Sequence, residues 1–183
     1  HLEAESGGPD REAGDKQWIE RLRLAFDPSV EQTAGSVREQ VSFVFYDLKD
    51  GKKTVIDNQA QKVLSKDFST AIYEDINGVI WVGTQNGMIR CERKGKMPNE
   101  LEVRHFKNIP GNQHSLSYNH VMCFLDDPVQ PEQYLWVCTK GGGLNRFDKK
   151  EGTFLRLTKK DGLPDNVVYG ILSDEQGNLW GST

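Results

Sequence analysis

Three tryptophans, three aspartates and one glycine run have the types and spacing that could do chemistry in this chain. Trp81, Trp136 and Trp180 offer flat apolar faces of the kind that stack on a pyranose ring. Asp75, Asp127 and Asp174 each precede one of them and could act as acid, base or calcium ligand. Lys140-Gly-Gly-Gly143 could cradle a phosphate. Each feature also has a structural explanation that suits its place better. The tryptophans recur at one strand position beside Tyr or Leu, which is where core packs. The aspartates open turns, where a carboxylate accepts backbone N–H bonds. The glycine run lacks a Gly-Lys-Ser/Thr ending and lies between strands rather than before a helix. His105, His114 and His120 have no metal-ligand spacing, and no Ser/His/Asp or Cys/His motif is present. Asp47 to Gly51 opens like an EF-hand loop, but its Gly comes one place early and the bidentate Glu is missing. The expectation is a segment with no catalytic residue, no metal and no cofactor.

The elements that place these residues form a repeat. LSKDFSTAIYEDINGVIWVGT starts at Leu64, LSYNHVMCFLDD at Leu116 resumes as LWVCT at Leu135, and LPDNVVYGILSDEQGNLWGST starts at Leu163. Shared positions are a leader Leu, an Asp or Asn, an apolar pair, a turn Asp, a Trp and a closing Thr. Asp followed three residues later by Gly suits a type I turn closed by a left-handed Gly, a three-residue hairpin loop. That turn sets Tyr73 against Trp81, Ile72 against Val82 and Ala71 against Gly83. The same count sets Leu172 against Trp180 and Gly170 against Ser182. With Pro128 to Gln133 inserted wholly in the middle loop, Leu125 faces Trp136 and Cys123 faces Cys138. Small residues then oppose each other in all three copies. Facing cysteines suit either a cross-strand disulfide or a pair of buried thiols, with Cys91 free.

Each strand pair is followed by a second one: MIRCER with LEVRHF, and LNRFDKK with TFLRLT. The unit is four short antiparallel strands, A to D, the make-up of a propeller blade. VSFVFYDL and KKTVID, joined across Lys49-Asp50-Gly51, read as a hairpin from the outer strands of a preceding blade. The expected divisions are a polar lead over 1–40, outer strands over 41–59, blades over 60–115 and 116–162, and half a blade over 163–183. Within the lead, Trp18, Ile19, Leu22, Ala25 and Phe26 fall at helical spacing, with an outer strand as the alternative. The fold class expected is all-β: β-propeller blades of four antiparallel strands, incomplete, a fragment of a larger propeller.

Length and charge narrow the function. The 183 residues suffice for a sizeable core, and the net charge is −4 with no basic face, which argues against nucleic acid. No apolar run approaches the roughly 18 residues of a membrane helix. Three cysteines are too few for a disulfide scaffold.

The pattern HSLSYNHV…D…LWVCTKGGGLNRFD followed by GLPDNVVYGILSDEQGNLWGST resembles the two-component regulator propeller repeat, over about residues 60–183 and more weakly 41–59. The resemblance implies a periplasmic, non-catalytic sensor region of a Bacteroidetes hybrid two-component system. It implies an oligosaccharide ligand, the rest of the propeller and a membrane-linked histidine kinase as partners, with a homodimer also allowed. A propeller lyase or hydrolase and a protein-binding scaffold are the alternatives. In such folds the D-to-A and B-to-C loops gather at one end of the channel, and loops carry function. Asn86, Tyr118, Asn119, His120 and Lys140 are the ligand candidates there, with solvated loop residues as the competing explanation.

Overall fold

The structure is a computed structural model that describes residues 44–47, 52–55, 68–93 and 101–183. The expected helix near Trp18 and the turn at Lys49-Asp50-Gly51 lie outside these residues. The strands flanking that turn, β1 (Val44–Asp47) and β2 (Lys52–Val55), do pair antiparallel, with Asp47 opposite Lys52.

Two four-stranded antiparallel sheets follow. The first comprises β3 (Ser69–Glu74), β4 (Ile80–Thr84), β5 (Gly87–Arg93) and β6 (Leu101–Phe106), in that spatial order. The second comprises β7 (Val121–Asp126), β8 (Tyr134–Thr139), β9 (Leu144–Asp148) and β10 (Thr153–Leu157), ordered likewise. A last hairpin pairs β11 (Gly170–Ser173) with β12 (Leu179–Ser182). A short 3-10 turn, Lys159–Asp161, precedes it, with Thr158 and Asp161 forming a capping box. These are propeller blades built as up-and-down meanders, and the described residues contain no α-helix.

The turn chemistry sets the register as the sequence predicts. Gly78 N–H donates to the Asp75 carbonyl at 2.8 Å, and Gly177 to that of Asp174 at 3.1 Å. Both glycines sit at positive φ, 76° and 81°, which an L side chain would resist. The ladders then run Tyr73 with Trp81, Ala71 with Gly83, Leu172 with Trp180 and Gly170 with Ser182. In the middle copy the Asp127 N–H donates to the Tyr134 carbonyl at 3.1 Å, so the insertion stays in the loop. Leu125 faces Trp136 and Cys123 faces Cys138.

The small-against-small rule has a steric cause. The innermost strands of neighbouring blades, β3 and β7, touch here, with Thr70 Oγ1 donating to the Val121 carbonyl at 2.6 Å. A Cβ on Gly83 would lie 2.9 Å from a Val121 methyl and 3.3 Å from the Ala71 methyl. Both β3 and β7 also slip register by one residue near this point, a bulge that bends the strand where sheets crowd.

The core lies between the blades. Trp81, Met88, Val121, Phe124, Phe147 and Phe154 form its centre. Trp81 meets Phe147 edge-on at 5.4 Å between centroids, and Phe106 meets Phe147 at 4.9 Å. A second cluster, Cys138, Leu144 and Val168, joins the middle blade to the last hairpin. Of the tryptophans expected in the core, Trp81 is fully buried and Trp136 half-buried, but Trp180 is 62% exposed. That corrects the expectation for Trp180. Burial of this position comes from the sheet packed against it, and no described sheet packs on that face of β12.

Candidate ligand site at the loop end of the blades

The closing Thr of each repeat begins the loop end. Thr84 Oγ1 donates to the Gly87 carbonyl at 2.9 Å and accepts from Asn86 N at 2.9 Å. Thr139 Oγ1 repeats the pattern, donating to the Gly143 carbonyl at 2.8 Å and accepting from Gly142 N at 3.1 Å. Both threonines are buried, so each B-to-C loop is folded around a hydroxyl it encloses.

The D-to-A loop is then stapled to that loop by the leader Asn. The Asn119 carbonyl accepts from Gly87 N at 2.7 Å, while its side-chain oxygen accepts from Asn108 N at 2.7 Å. Asn166 does the same one blade on, accepting from Gly141 N at 3.0 Å and Gly143 N at 2.7 Å, with its side chain taking Lys159 N at 2.8 Å. Asn119 is therefore a joint between loops, and its side-chain oxygen is already engaged. The repeat carries the clue, since Asn recurs at this leader position in LSYN and LPDN. Asn145, buried within β9, adds a second joint by accepting from Ser117 N at 3.0 Å and donating to Ser117 Oγ at 2.8 Å.

The five candidates fall into one loop cluster. Asn86 lies beside Gly87, with its carbonyl 3.1 Å from His105 Nε2. The His120 carbonyl accepts from Lys140 N at 2.9 Å. The Tyr118 ring lies against Gly141, where an added Cβ would sit 3.4 Å from its ring carbons, and a Cβ on Gly142 would collide with Ser117 and Tyr118. Close packing of Ser117 and Tyr118 at Gly142, the Leu157 carbonyl at Gly143, and positive φ at Gly141 and Gly143 account for the glycine run that resembled a phosphate cradle. Tyr118 itself stays 48% exposed. Desolvation draws the His120 imidazole below its ordinary pKa, and the nearby Lys140 charge acts the same way. At neutral pH this corner presents a neutral imidazole beside the exposed Tyr118 ring.

The turn aspartates sit at the hairpin end of the strands. Asp75 Oδ1 accepts from Asn77 N at 2.9 Å and Val79 N at 3.0 Å, and Oδ2 accepts from Trp81 Nε1 at 2.9 Å. Asp174 clamps its own turn and takes Trp180 Nε1 at 2.9 Å. The turn role holds for both, and the indole bond is an addition that sequence reasoning missed. Its signal was the fixed spacing of Asp and Trp. In the middle copy Asp127 Oδ2 accepts Arg146 Nε at 2.7 Å instead, and buried Trp136 Nε1 has no partner. Burial alone would raise the Asp127 carboxyl, but the Gln130 and Val129 amides and Arg146 hold it below its ordinary range.

Cys123 and Cys138 stand opposite each other as expected, yet both are free thiols, as is Cys91. No disulfide is formed between them. The two thiols act on each other, Cys138 drawing Cys123 below the ordinary range and Cys123 together with burial pushing Cys138 above it. Burial pushes Cys91 up to about 12, so it is inert.

Residues 63–86 and 162–183 match the family model described as the two component regulator propeller. Both segments are similar to two-component regulator propeller repeats. Solved structures agree on the propeller. The extracellular domain assigned to the hybrid two-component system BT3049 of B. thetaiotaomicron matches with 25% identity and a TM-score of 0.51, over 66% of this chain and 16% of that one. That assigned to BT4673 of the same organism matches with 22% identity and a TM-score of 0.51, over 79% of this chain and 20% of that one. The chain thus spans a fifth or less of the length of those domains. No curated protein matches the sequence. Within the regulator propeller repeats, the leader Asn, turn Asp, Trp and closing Thr are all structural. What they leave outward-facing is the loop cluster around Tyr118.

Proposed function

We propose that these blades belong to a non-catalytic, extracytoplasmic sensor propeller whose loop end takes an oligosaccharide. The observation that carries the reading is Tyr118. Its ring is held by the stapled loops yet stays exposed, which suits stacking on a sugar face. Lys140 and neutral His120 beside it supply donors and acceptors for hydroxyls. The cluster brings no carboxylate pair together, which favours binding over hydrolysis or elimination. The extracellular assignment of BT3049 and BT4673 supports a location outside the cytoplasm. Among the described residues no helix is long and apolar enough to cross a membrane. Signalling would pass to the remaining blades and a membrane-linked kinase, with a homodimer as the responding unit. Ligand can shift that assembly only through different affinity for its two states.

Calorimetric titration with a panel of short neutral oligosaccharides tests the site. Tyr118→Ala should weaken binding about tenfold or more with the urea midpoint unchanged, since its ring is exposed. Equal affinity in wild type and variant would reject the site.

A further inference from the structure

A cavity lies between the outer strands of the first blade and the β9–β10 turn of the next. It holds about 520 Å³, and its lining includes Arg90, Arg104, Phe106, Lys149, Lys150 and Glu151. The register of β5 and β6 creates an unusual wall. Arg90 stands directly opposite Arg104, and Glu92 opposite Glu102. Like charges facing across a ladder are destabilising unless something else uses them.

Each arginine is paired along its own strand. Arg90 Nη2 lies 3.0 Å from Glu92, and Arg104 Nη2 lies 3.0 Å from Glu102. Those contacts leave the Arg90 Nε–H buried with no acceptor. A buried donor on a charged group without a partner is costly and uncommon. Across the groove, Lys149 is engaged by Asp75 at 3.0 Å and Asp126 at 2.8 Å, whereas Lys150 is exposed at the rim. Phe106 supplies an apolar floor, packed edge-on against Phe147 and Phe154.

We propose that this outer-strand groove is a binding site for a small oxyanion, a carboxylate or sulfate group, carried on a body of about one sugar ring. Arg90 and Arg104 stand side by side on adjacent strands, and the guanidinium nitrogens not held by Glu92 and Glu102 carry the positive charge an oxyanion would meet. The volume falls in the range of small-molecule sites, roughly 300–1,000 Å³. Phe106 covers the apolar side of the ligand, and Lys150 closes the rim with a further positive charge. Glu151 opposes binding and sets a limit on how much negative charge the ligand carries. None of the five loop candidates lines this cavity, and His105 in its wall meets the Asn86 carbonyl at 3.1 Å.

The test is an NMR titration of arginine Nε–Hε signals in the intact chain at about 0.15 M salt, so that diffuse surface charge is screened. The probes are sodium sulfate, sodium glucuronate and glucose. The Arg90 signal should shift saturably with at least one of the two anions and not with glucose. Sulfate alone would mark a tetrahedral oxyanion, and glucuronate alone a carboxylate on a ring. Arg104→Gln, at an exposed position, should weaken that binding about tenfold without moving the urea midpoint. Lys150→Gln should weaken it less, and Tyr118→Ala should leave it unchanged. No saturable shift with either anion, an equal shift with glucose, or an unaltered affinity in Arg104→Gln would each overturn the proposal.

Discussion

The hairpins at Asp75 and Asp127 start from the same pattern and end in different chemistry. In the first, a three-residue loop lets one carboxylate clamp the turn amides and the Trp81 indole together. In the second, the six inserted residues from Pro128 to Gln133 carry the chain away, and the carboxylate turns to Arg146. Arg146 lies 3.8 Å from the Tyr134 ring centroid and 5.7 Å from that of Trp136. The indole keeps its apolar contacts and loses its acceptor. Loop length therefore decides what the turn Asp holds, while the ladder beyond it is unaffected. The third hairpin, at Asp174, keeps the first one's bonds and lacks its cover, which separates local clamping from burial.

The largest effect that sharpens this comparison is at the indoles. Trp81→Ala should cost about 3–5 kcal/mol, the range for emptying a large buried aromatic site. Trp180→Ala should cost less than about 1 kcal/mol, because its ring is mostly exposed already. Urea unfolding of the two variants checks the ratio, and equal losses would remove the distinction. Next is Asp75→Ala. It strands the Trp81 N–H and takes one of two carboxylates from buried Lys149, at about 3 kcal/mol. Asp127→Ala should cost about 1–2 kcal/mol, since its partner Arg146 is partly exposed and can reach water. A smaller contrast compares Trp to Phe at both sites. Trp81→Phe breaks a made bond, whereas Trp136→Phe removes a donor that has none, so the first should cost about 1 kcal/mol more.

The smallest effect is a titration. Asn178 and the Trp180 indole hold the Asp174 carboxyl down to about 2. A depressed folded pKa means that the contribution is complete above the unfolded value near 4. It is lost as pH falls through about 2. The Trp180 indole N–H signal should follow that titration, and a midpoint near 4 would show that the bond does not hold. His120 runs the other way. Its folded pKa is lowered, so the unfolded chain binds the proton first and stability falls as pH drops below about 6.5.

Much of the fold was legible because strand pairing is a counting problem once the turn is known. Asp-x-x-Gly gave two of the loops an odd length, from which the Tyr73–Trp81 and Leu172–Trp180 ladders followed, and confining Pro128 to Gln133 to the middle loop gave Cys123–Cys138. Burial was less legible. The sequence gives Trp180 the same place as Trp81, but what covers a strand belongs to the neighbouring sheet. Loop candidates were brought together as their topology implied, yet Asn119 proved structural because its main work is done by a backbone carbonyl, which residue type does not reveal. Gly142 shows the converse, since a contact with Ser117 and Tyr118 explains a residue that looked like phosphate chemistry. The Arg90–Arg104 pair needed the β5–β6 register, and the turn that sets it lies outside the described residues.

The central claim is that the repeat's signature residues build the blade and the loops between them recognise ligand. Backbone amide shifts during titration with an oligosaccharide found to bind test it directly. Shifts should centre on Gln85–Gly87, Ser117–His120 and Lys140–Gly142 and leave the Asp75 and Asp174 hairpins unmoved. Shifts centred on those hairpins and on Trp180 would contradict the claim and return the tryptophans to the role of sugar platform.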